Sequence, residues 1–523
     1  MDSYELLSRI FWPMVRTFLL SRFTSLLDLS RIIPRHSDFA QKHMPYNSLS
    51  EFIQVLERTG ELKRVAYPVK AELEITEIAD RVMKSGGPAL LFENVVGRQI
   101  PVLINAFGSR KRMALALGVN DIEDLARDIE KLIQTKPPKS FKDKFHLLAE
   151  LIKLAGIPPK VVNDGACREV IHRDPDLNVL PVLTCWPGDA GPFITLPMVF
   201  SKDPVKGTRN VGLYRMQVFD QRTTGMHWHL HKVGARHFQR QKESSGKLEL
   251  AVSLGGDPAM IYAATAPLPD QIDEILFTGF LRKKSVALVK GVTVDVEVPA
   301  NSDIVIEGYV DPSEPLRREG PFGDHTGFYS LADDYPVFHA TCITHRKNPI
   351  YPTTIVGRPP MEDVYLGKAT ERLFLPLVRV TLPEIVDMNL PIYGVFHNLA
   401  IISIKKEYPA QARKVMHALW GLGQMMFTKT LIVVDHDVNI QDLAEVTWVV
   451  GNHIDPKRDT VFVEGPVDVL DHAAPRLGYG SKVGIDATRK WRSEGFDREW
   501  PDAIVMDDKT KKYIDSIWDK LGI

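Results

Sequence analysis

Three stretches carry residue types that could do chemistry. The first, "EGPFGDHTGFYS" at 319–330, sets Glu319 and Asp324 five positions apart, with Gly320, Pro321, Phe322 and Gly323 between them and His325 directly after. Two carboxylates in one pocket cannot both ionise cheaply, so one is expected to stay protonated and serve as a general acid near neutral pH. The competing reading is a solvated turn, because Asp before His-Thr-Gly is ordinary turn chemistry. Spacing alone leaves both open. The second stretch, "GMHWHLHK", alternates His227, His229 and His231. On a strand the three imidazoles would share one face, with Trp228 and Leu230 on the other. Positions i and i+4 of a strand lie ~13 Å apart, so one ion could take at most two of them. A histidine-based metal hydrolase and a half-exposed strand with hydrogen-bonded histidines both fit. The third, "RNVGLYR", holds Asn210, Tyr214 and Arg215 and precedes the histidines by a turn-like "DQRTTG". A hairpin there would let the planar fork of Arg215 face a carboxylate, although an arginine on a strand often sits at the surface.

Other candidates are weaker. "GYGSKVG" at 478–484 lacks the preceding strand and following helix of a dinucleotide fingerprint. "DHD" at 435–437 follows an expected strand, where helix capping or loop solvation competes with a ligand role. No GxSxG, Walker or HExxH pattern occurs.

The elements that must position these residues belong to a chain of 523 residues, enough for two to four domains at ~150 residues each. Hydrophobic residues at 44% and charged residues at 25% describe a globular protein, and a net charge of −1 gives no electrostatic reason to expect nucleic acid. Cys167, Cys185 and Cys342 are odd in number and far apart, which argues against a disulfide framework or a CxxC site and fits a reducing cytoplasm.

Residues 1–44 form an extension with apolar side chains at Leu7, Ile10, Phe11, Met14, Val15, Phe18 and Leu19, the rhythm of an amphipathic helix. Arg9, Arg16, Arg22 and Asp28 interrupt it, so it does not cross a bilayer. It reads either as a basic segment resting on a membrane surface or partner, or as a helix packed on the body. A domain begins near Met44, with a capping box from Ser48 to Glu51 and a stop at Gly60. Residues 45–160 read as mixed α/β, with "PALLFENVV" a buried strand and "DIEDLARDIEKLIQ" a helix. Residues 161–340 carry short strands such as "VGLYRMQVFD", "AVSLG" and "SVALVKGVTVDVEVP", as in a barrel or sandwich. Residues 341–523 return to α/β, where "LAIISIKK", "PAQARKVMHALWGLGQM" and "TLIVVD" predict a βαβ unit with parallel pairing.

Taken together, "GELKRV", "LEITEIADRVMKSGGPALLFENVVG", "PVLTCWPGDAGPFIT", "RNVGLYRMQ", "LGGDPA", "EVPANSDIVIEGYV", "EGPFGDHTGFY", "VGRPPMED" and "GSKVGIDATRKW" resemble the UbiD family of decarboxylases, in family order from about Tyr46 to the C-terminus. The nearest resemblance is to the polyprenyl-4-hydroxybenzoate decarboxylases of quinone biosynthesis. It implies an N-terminal α/β domain, a central split β-barrel related to flavin reductases, and a C-terminal α/β domain used in oligomerisation, as a dimer or hexamer. The implied reaction is non-oxidative decarboxylation of an aromatic, 4-hydroxybenzoate-type acid in ubiquinone or menaquinone biosynthesis. The implied cofactor is prenylated FMN, supplied by a separate flavin prenyltransferase and anchored through its phosphate by Mn²⁺, with K⁺ nearby.

Carried onto this chain, the metal positions fall on Asn210, His231 and Glu274, and the catalytic set on Arg215, Glu319 and Asp324, with Asp324 as proton donor. Cofactor contacts fall on Leu213, Tyr214, Arg215, His227, Trp228, His229, Lys232 and Val233. The chain departs from the quinone enzymes where they resemble "RWLSHRG" and it has "HWHLHKV", which bears on the substrate more than on the reaction. Decarboxylation of another phenolic acid, or a catalytically silent flavin-binding assembly protein, are the alternatives.

Overall fold

Ser48 opens the first described helix, Leu49–Arg58: its hydroxyl accepts the Glu51 amide at 3.2 Å, while the Glu51 carboxylate closes onto the amide of Asn47 at 2.7 Å. The capping box is therefore shifted by one residue on its acidic side. Leu49, Phe52, Ile53 and Leu56 form the buried stripe that holds this helix to the body. The computed structural model describes residues 46–135, 157–229, 232–268 and 272–523. The amphipathic extension and His231 lie outside these residues.

The N-terminal region is mixed α/β. Leu62–Val65 runs parallel to Ala89–Phe92 across the helix Glu74–Lys84, and Val102–Ile104 adds antiparallel. The fourth strand, Tyr351–Pro352, pairs parallel to Val102–Leu103 although it follows the whole central block in sequence. "PALLFENVV" supplies the fully buried strand Ala89–Phe92, and "DIEDLARDIEKLIQ" the helix Ile122–Thr135.

The central region is an antiparallel sheet of seven strands. Its path runs Thr223–Gly225, Val337–His345, Ile304–Val310, Leu248–Leu254, Met198–Lys202 and Arg209–Leu213, and Val170–His172 joins beside Val337–His345. Among the described residues this path is open and does not close on itself. Leu250, Val252, Ile304, Ile306 and Phe338 pack one core across these strands.

Two expectations need correction here. "VGLYRMQVFD" is not one strand: Arg209–Leu213 stays in the large sheet, whereas Met216–Gln217 leaves to pair with Phe193–Ile194. The break between them is where Leu213 donates its amide to Ala264 O at 3.1 Å. Likewise "MHWH", the described part of "GMHWHLHK" just after Gly225, is not a strand. Pairing stops at Gly225, and Met226–His229 follow without regular structure before the helix Val233–Ser244. Alternation of residue type predicts a strand only where a neighbour supplies ladder partners.

In the C-terminal region a five-stranded sheet runs Ile385–Asn389, Leu399–Ile404, Thr430–Asp435, Tyr479–Asp486, Thr460–Pro466. The three inner strands are parallel, and Leu399–Ile404, the helix Gln411–Trp420 and Thr430–Asp435 form the expected βαβ unit. "GYGSKVG" is mostly strand, in keeping with the absence of a dinucleotide loop. The helix Asp363–Thr381 leads into this sheet and ties back to the N-terminal region through Arg379 and Glu130 at 2.8 Å. Among the described residues no helix is long and apolar enough to cross a membrane.

Candidate active site

The two residues at the break in "VGLYRMQ" are Tyr214 and Arg215. Freed from the sheet, Arg215 lies over Phe322, whose ring centroid is 4.6 Å from the guanidinium carbon. Its Nε donates to Glu319 Oε1 at 3.3 Å, Nη2 donates to Ser330 Oγ at 3.1 Å, and Nη1 pairs with Asp324 Oδ2. The fork is thus shared by both carboxylates of the loop.

That loop is built for close approach. Glu319 ends the strand Arg317–Glu319, and Gly320 takes φ +87°, a left-handed conformation that glycine adopts without strain. Phe322–Gly323 pairs with Tyr329–Ser330, so Asp324 sits at the mouth of a short hairpin. A Cβ on Gly323 would lie 2.2 Å from the Trp186 ring, and one on Gly357 would lie 2.9 Å from the same indole. Trp186 is therefore clasped between two glycines, with Nε1 donating to Val356 O at 2.9 Å. Asp189 accepts the amides of Gly323 at 2.7 Å and Trp186 at 2.9 Å, and Gln217 accepts that of Gly320 at 2.8 Å.

Each carboxylate also has a histidine chain. His227 Nδ1 donates to Glu319 Oε1 at 2.8 Å, and its Nε2 lies 2.7 Å from His229 Nε2. His325 Nδ1 donates to Asp324 Oδ1 at 2.8 Å, and its Nε2 lies 2.8 Å from His397 Nε2. Glu319 and Asp324 are 1% and 5% exposed, so these contacts replace solvent.

Burial opposes charge on Asp324, but adjacent Arg215 and the hydrogen bonds from His325 outweigh it and hold the carboxyl well below the usual carboxylate range. Asp324 is therefore held ionised in this state, because the Arg215 cation stands beside its carboxylate. Burial and the Arg215 charge lower the His227 pKa. For His325 burial works the same way, yet Asp324 overrides it and the pKa rises.

Tyr214 meets Trp228 edge-on, with ring centroids 6.4 Å apart. Leu213 ends its strand, and Lys232 caps the helix that Val233 begins. Asn210 is buried and its amide reaches Tyr214 Oη at 3.5 Å. Glu274, first in the helix Glu274–Arg282, accepts the Val211 amide at 3.0 Å, and burial pushes its carboxyl up to about 8. Among the described residues Glu274 has no ion-pair partner, and no cluster of three His, Cys, Asp or Glu side chains is placed to hold a metal.

An amide oxygen and a buried carboxylate nonetheless suit a hard divalent cation. Trp228 Nε1 and Glu319 Oε2 are buried without a hydrogen-bond partner among the described residues, as groups awaiting a polar ligand would be. Sequence reasoning missed Asp189, Gln217, Ser330 and His397. Asp189 lies inside the matching stretch "PVLTCWPGDAGPFIT", whereas His397 stands 72 positions from His325 with no local signal.

The chain matches three family descriptions in order: the 3-octaprenyl-4-hydroxybenzoate carboxy-lyase N-terminal domain at 53–132, its Rift-related domain at 160–359 and its C-terminal domain at 364–487. It belongs to the UbiD family of carboxy-lyases. An uncharacterized protein of Aquifex aeolicus is 53% identical over 481 residues, 91% of this chain and 99% of that one. Among solved structures, the UbiD-class enzyme HmfF of Pelotomaculum thermopropionicum, in complex with FMN, is 32% identical with a TM-score of 0.74, over 87% of this chain and 97% of its own. The vanillic acid decarboxylase of Sedimentibacter hydroxybenzoicus, in closed form, is 29% identical with a TM-score of 0.78, over 91% and 99%.

Proposed function

We propose that the chain decarboxylates an aromatic, 4-hydroxybenzoate-type acid without oxidation, using prenylated FMN supplied by a flavin prenyltransferase. The observation that carries this reading is the sharing of Arg215 between Glu319 and Asp324 in a buried pocket. Bound prenylated FMN would supply an electron sink for the pair left on the ring carbon as CO₂ departs. Arg215 orients the substrate carboxylate, and Glu319 aims the guanidinium. As the substrate draws on Arg215, Asp324 loses the charge that keeps it ionised, takes up a proton and delivers it to the ring carbon.

Asn210, Glu274 and His231 would hold Mn²⁺ against the cofactor phosphate, with K⁺ close by. Leu213, Tyr214, His227, Trp228, His229, Lys232 and Val233 would line the cofactor, and the orphaned Trp228 Nε1 supports that placement. The domains run 45–160, 161–340 and 341–523, the central one a split barrel, with Tyr351–Pro352 returned to the first. Exposed Trp448, Phe462 and Leu477 support assembly through the C-terminal domain as a dimer or hexamer. The location is cytoplasmic, with the extension as a candidate membrane contact.

A role in ubiquinone or menaquinone biosynthesis is the first reading of the pathway. The likeness to a vanillic acid decarboxylase favours a second, a phenolic acid outside quinone synthesis. Coexpression with the prenyltransferase tests the proposal. Flavin-like absorbance and CO₂ release from 4-hydroxybenzoate or vanillate are expected, and Asp324→Asn should abolish release while keeping the absorbance. A loaded protein that releases no CO₂ from any hydroxybenzoate overturns it.

A further inference from the structure

Decarboxylation consumes one proton per turnover. The carbon–carbon pair stays on the ring carbon when CO₂ leaves, that carbon takes H⁺ from Asp324, and Asp324 must then be recharged inside a buried pocket. Resting on the decarboxylase reading, we propose that His325 and His397 form the proton relay that recharges Asp324.

The chain of contacts is continuous. Asp324 Oδ1 faces His325 Nδ1 at 2.8 Å, and His325 Nε2 faces His397 Nε2 at 2.8 Å. His397 Nδ1 is buried with no hydrogen-bond partner among the described residues, so the far end of the chain presents a free ring nitrogen. The chain also joins two regions: His325 lies in the loop of the hairpin Phe322–Gly323 and Tyr329–Ser330, while His397 lies between the first two strands of the C-terminal sheet.

The turn that carries His397 is strained. Val395 and Phe396 take φ +52° and +41°, a conformation that a β-branched or aromatic residue adopts only when its surroundings impose it, and the His397 amide closes onto Val395 O at 2.5 Å. The outcome of this costly turn is that Phe396 stacks on His325, with ring centroids 5.2 Å apart, while His397 meets the ring nitrogen.

The Nδ1 proton of His325 passes to Asp324, His325 Nε2 accepts the Nε2 proton of His397, and His397 Nδ1 takes up one H⁺ from bulk solvent on product exchange, so that one proton enters for each CO₂ released. Exchange with water restores the starting tautomers once the product has left. Asp324, Asp363, Asp468 and His397 face His325, and Asp468, Asp324, Asp471 and His325 face His397. Burial and neighbouring His325 push the His397 pKa down to about 4, whereas Asp324 raises that of His325 against its burial.

The test uses enzyme loaded with cofactor. His397→Gln is expected to lower kcat by about 10²-fold with KM and flavin absorbance unchanged. Added imidazole should restore His397→Ala at least tenfold, and the solvent isotope effect should rise in both variants. Turnover of His397→Gln within about threefold of the parent, or no imidazole rescue, overturns the relay. A second readout needs no turnover: ¹⁵N resonances of His325 must shift tautomer population in His397→Gln, and unchanged resonances overturn the relay. If the parent releases no CO₂ while those resonances shift, the decarboxylase reading fails and the histidine chain stands.

Discussion

Asp189 and Gly323 are joined by a 2.7 Å hydrogen bond across 134 positions of sequence, from the Gly323 amide to the Asp189 carboxylate. The same side chain accepts the amides of Cys185 and Trp186, so one carboxylate sets the approach of two loops and with it the position of Asp324. Asp189→Ala should lower kcat by about 10²-fold, the effect of an ~1 Å misplacement at a reacting centre, with little change in cofactor absorbance. Steady-state kinetics on loaded enzyme check this.

Gly323→Ala adds a methyl where the Trp186 ring already lies 2.2 Å away. Overpacking of this kind costs about 1–3 kcal/mol, measurable by urea unfolding. The double variant with Trp186→Ala should recover less than the single variant loses, because Trp186 also donates to Val356.

Arg215→Lys should prove unlike a conservative change. A single ammonium cannot serve Glu319, Asp324 and Ser330 from one plane as the guanidinium does. Arg215→Ala leaves two buried carboxylates uncompensated and should destabilise by about 3–5 kcal/mol, seen as a lowered Tm and loss of turnover.

Acid should unfold the protein partly through Asp324. Its folded-state pKa is depressed below the ordinary 3.8, so its contribution is present above that value and is lost as pH falls through and below it. Urea unfolding across pH 2–5 should show a steeper fall for the parent than for Asp324→Asn.

Glu274→Gln removes a carboxylate that burial raises to about 8. The metal-free variant should melt higher than the metal-free parent at neutral pH, and Mn²⁺ should raise the Tm of the parent alone. Thermal scans with and without Mn²⁺ check both.

Much of this architecture was legible in local sequence. The βαβ unit from Leu399 to Asp435 follows from periodicity and length, and Ser48 marks its helix because a cap acts within three residues. The pairing of Arg215 with the acidic loop rests on the resemblance, since spacing alone leaves Glu319 and Asp324 open to both a catalytic and a turn reading. What escaped depended on distant partners. His227 and His229 alternate like strand residues, yet among the described residues this strand's pairing stops at Gly225, and they meet instead through their ring nitrogens. His397 carries no signal because its role comes from a turn whose backbone angles its residue types do not predict.

Tyr351–Pro352 gives the N-terminal sheet a history as well as a shape. Its partner, Val102–Ile104, leaves the ribosome roughly 250 residues earlier, and at ~5–20 residues per second that edge waits on the order of ten seconds or more for its last strand. During synthesis the nascent chain therefore carries an unpaired, fully apolar edge, the kind of template on which chains mispair. Splitting the gene after the first domain would make that transient state permanent.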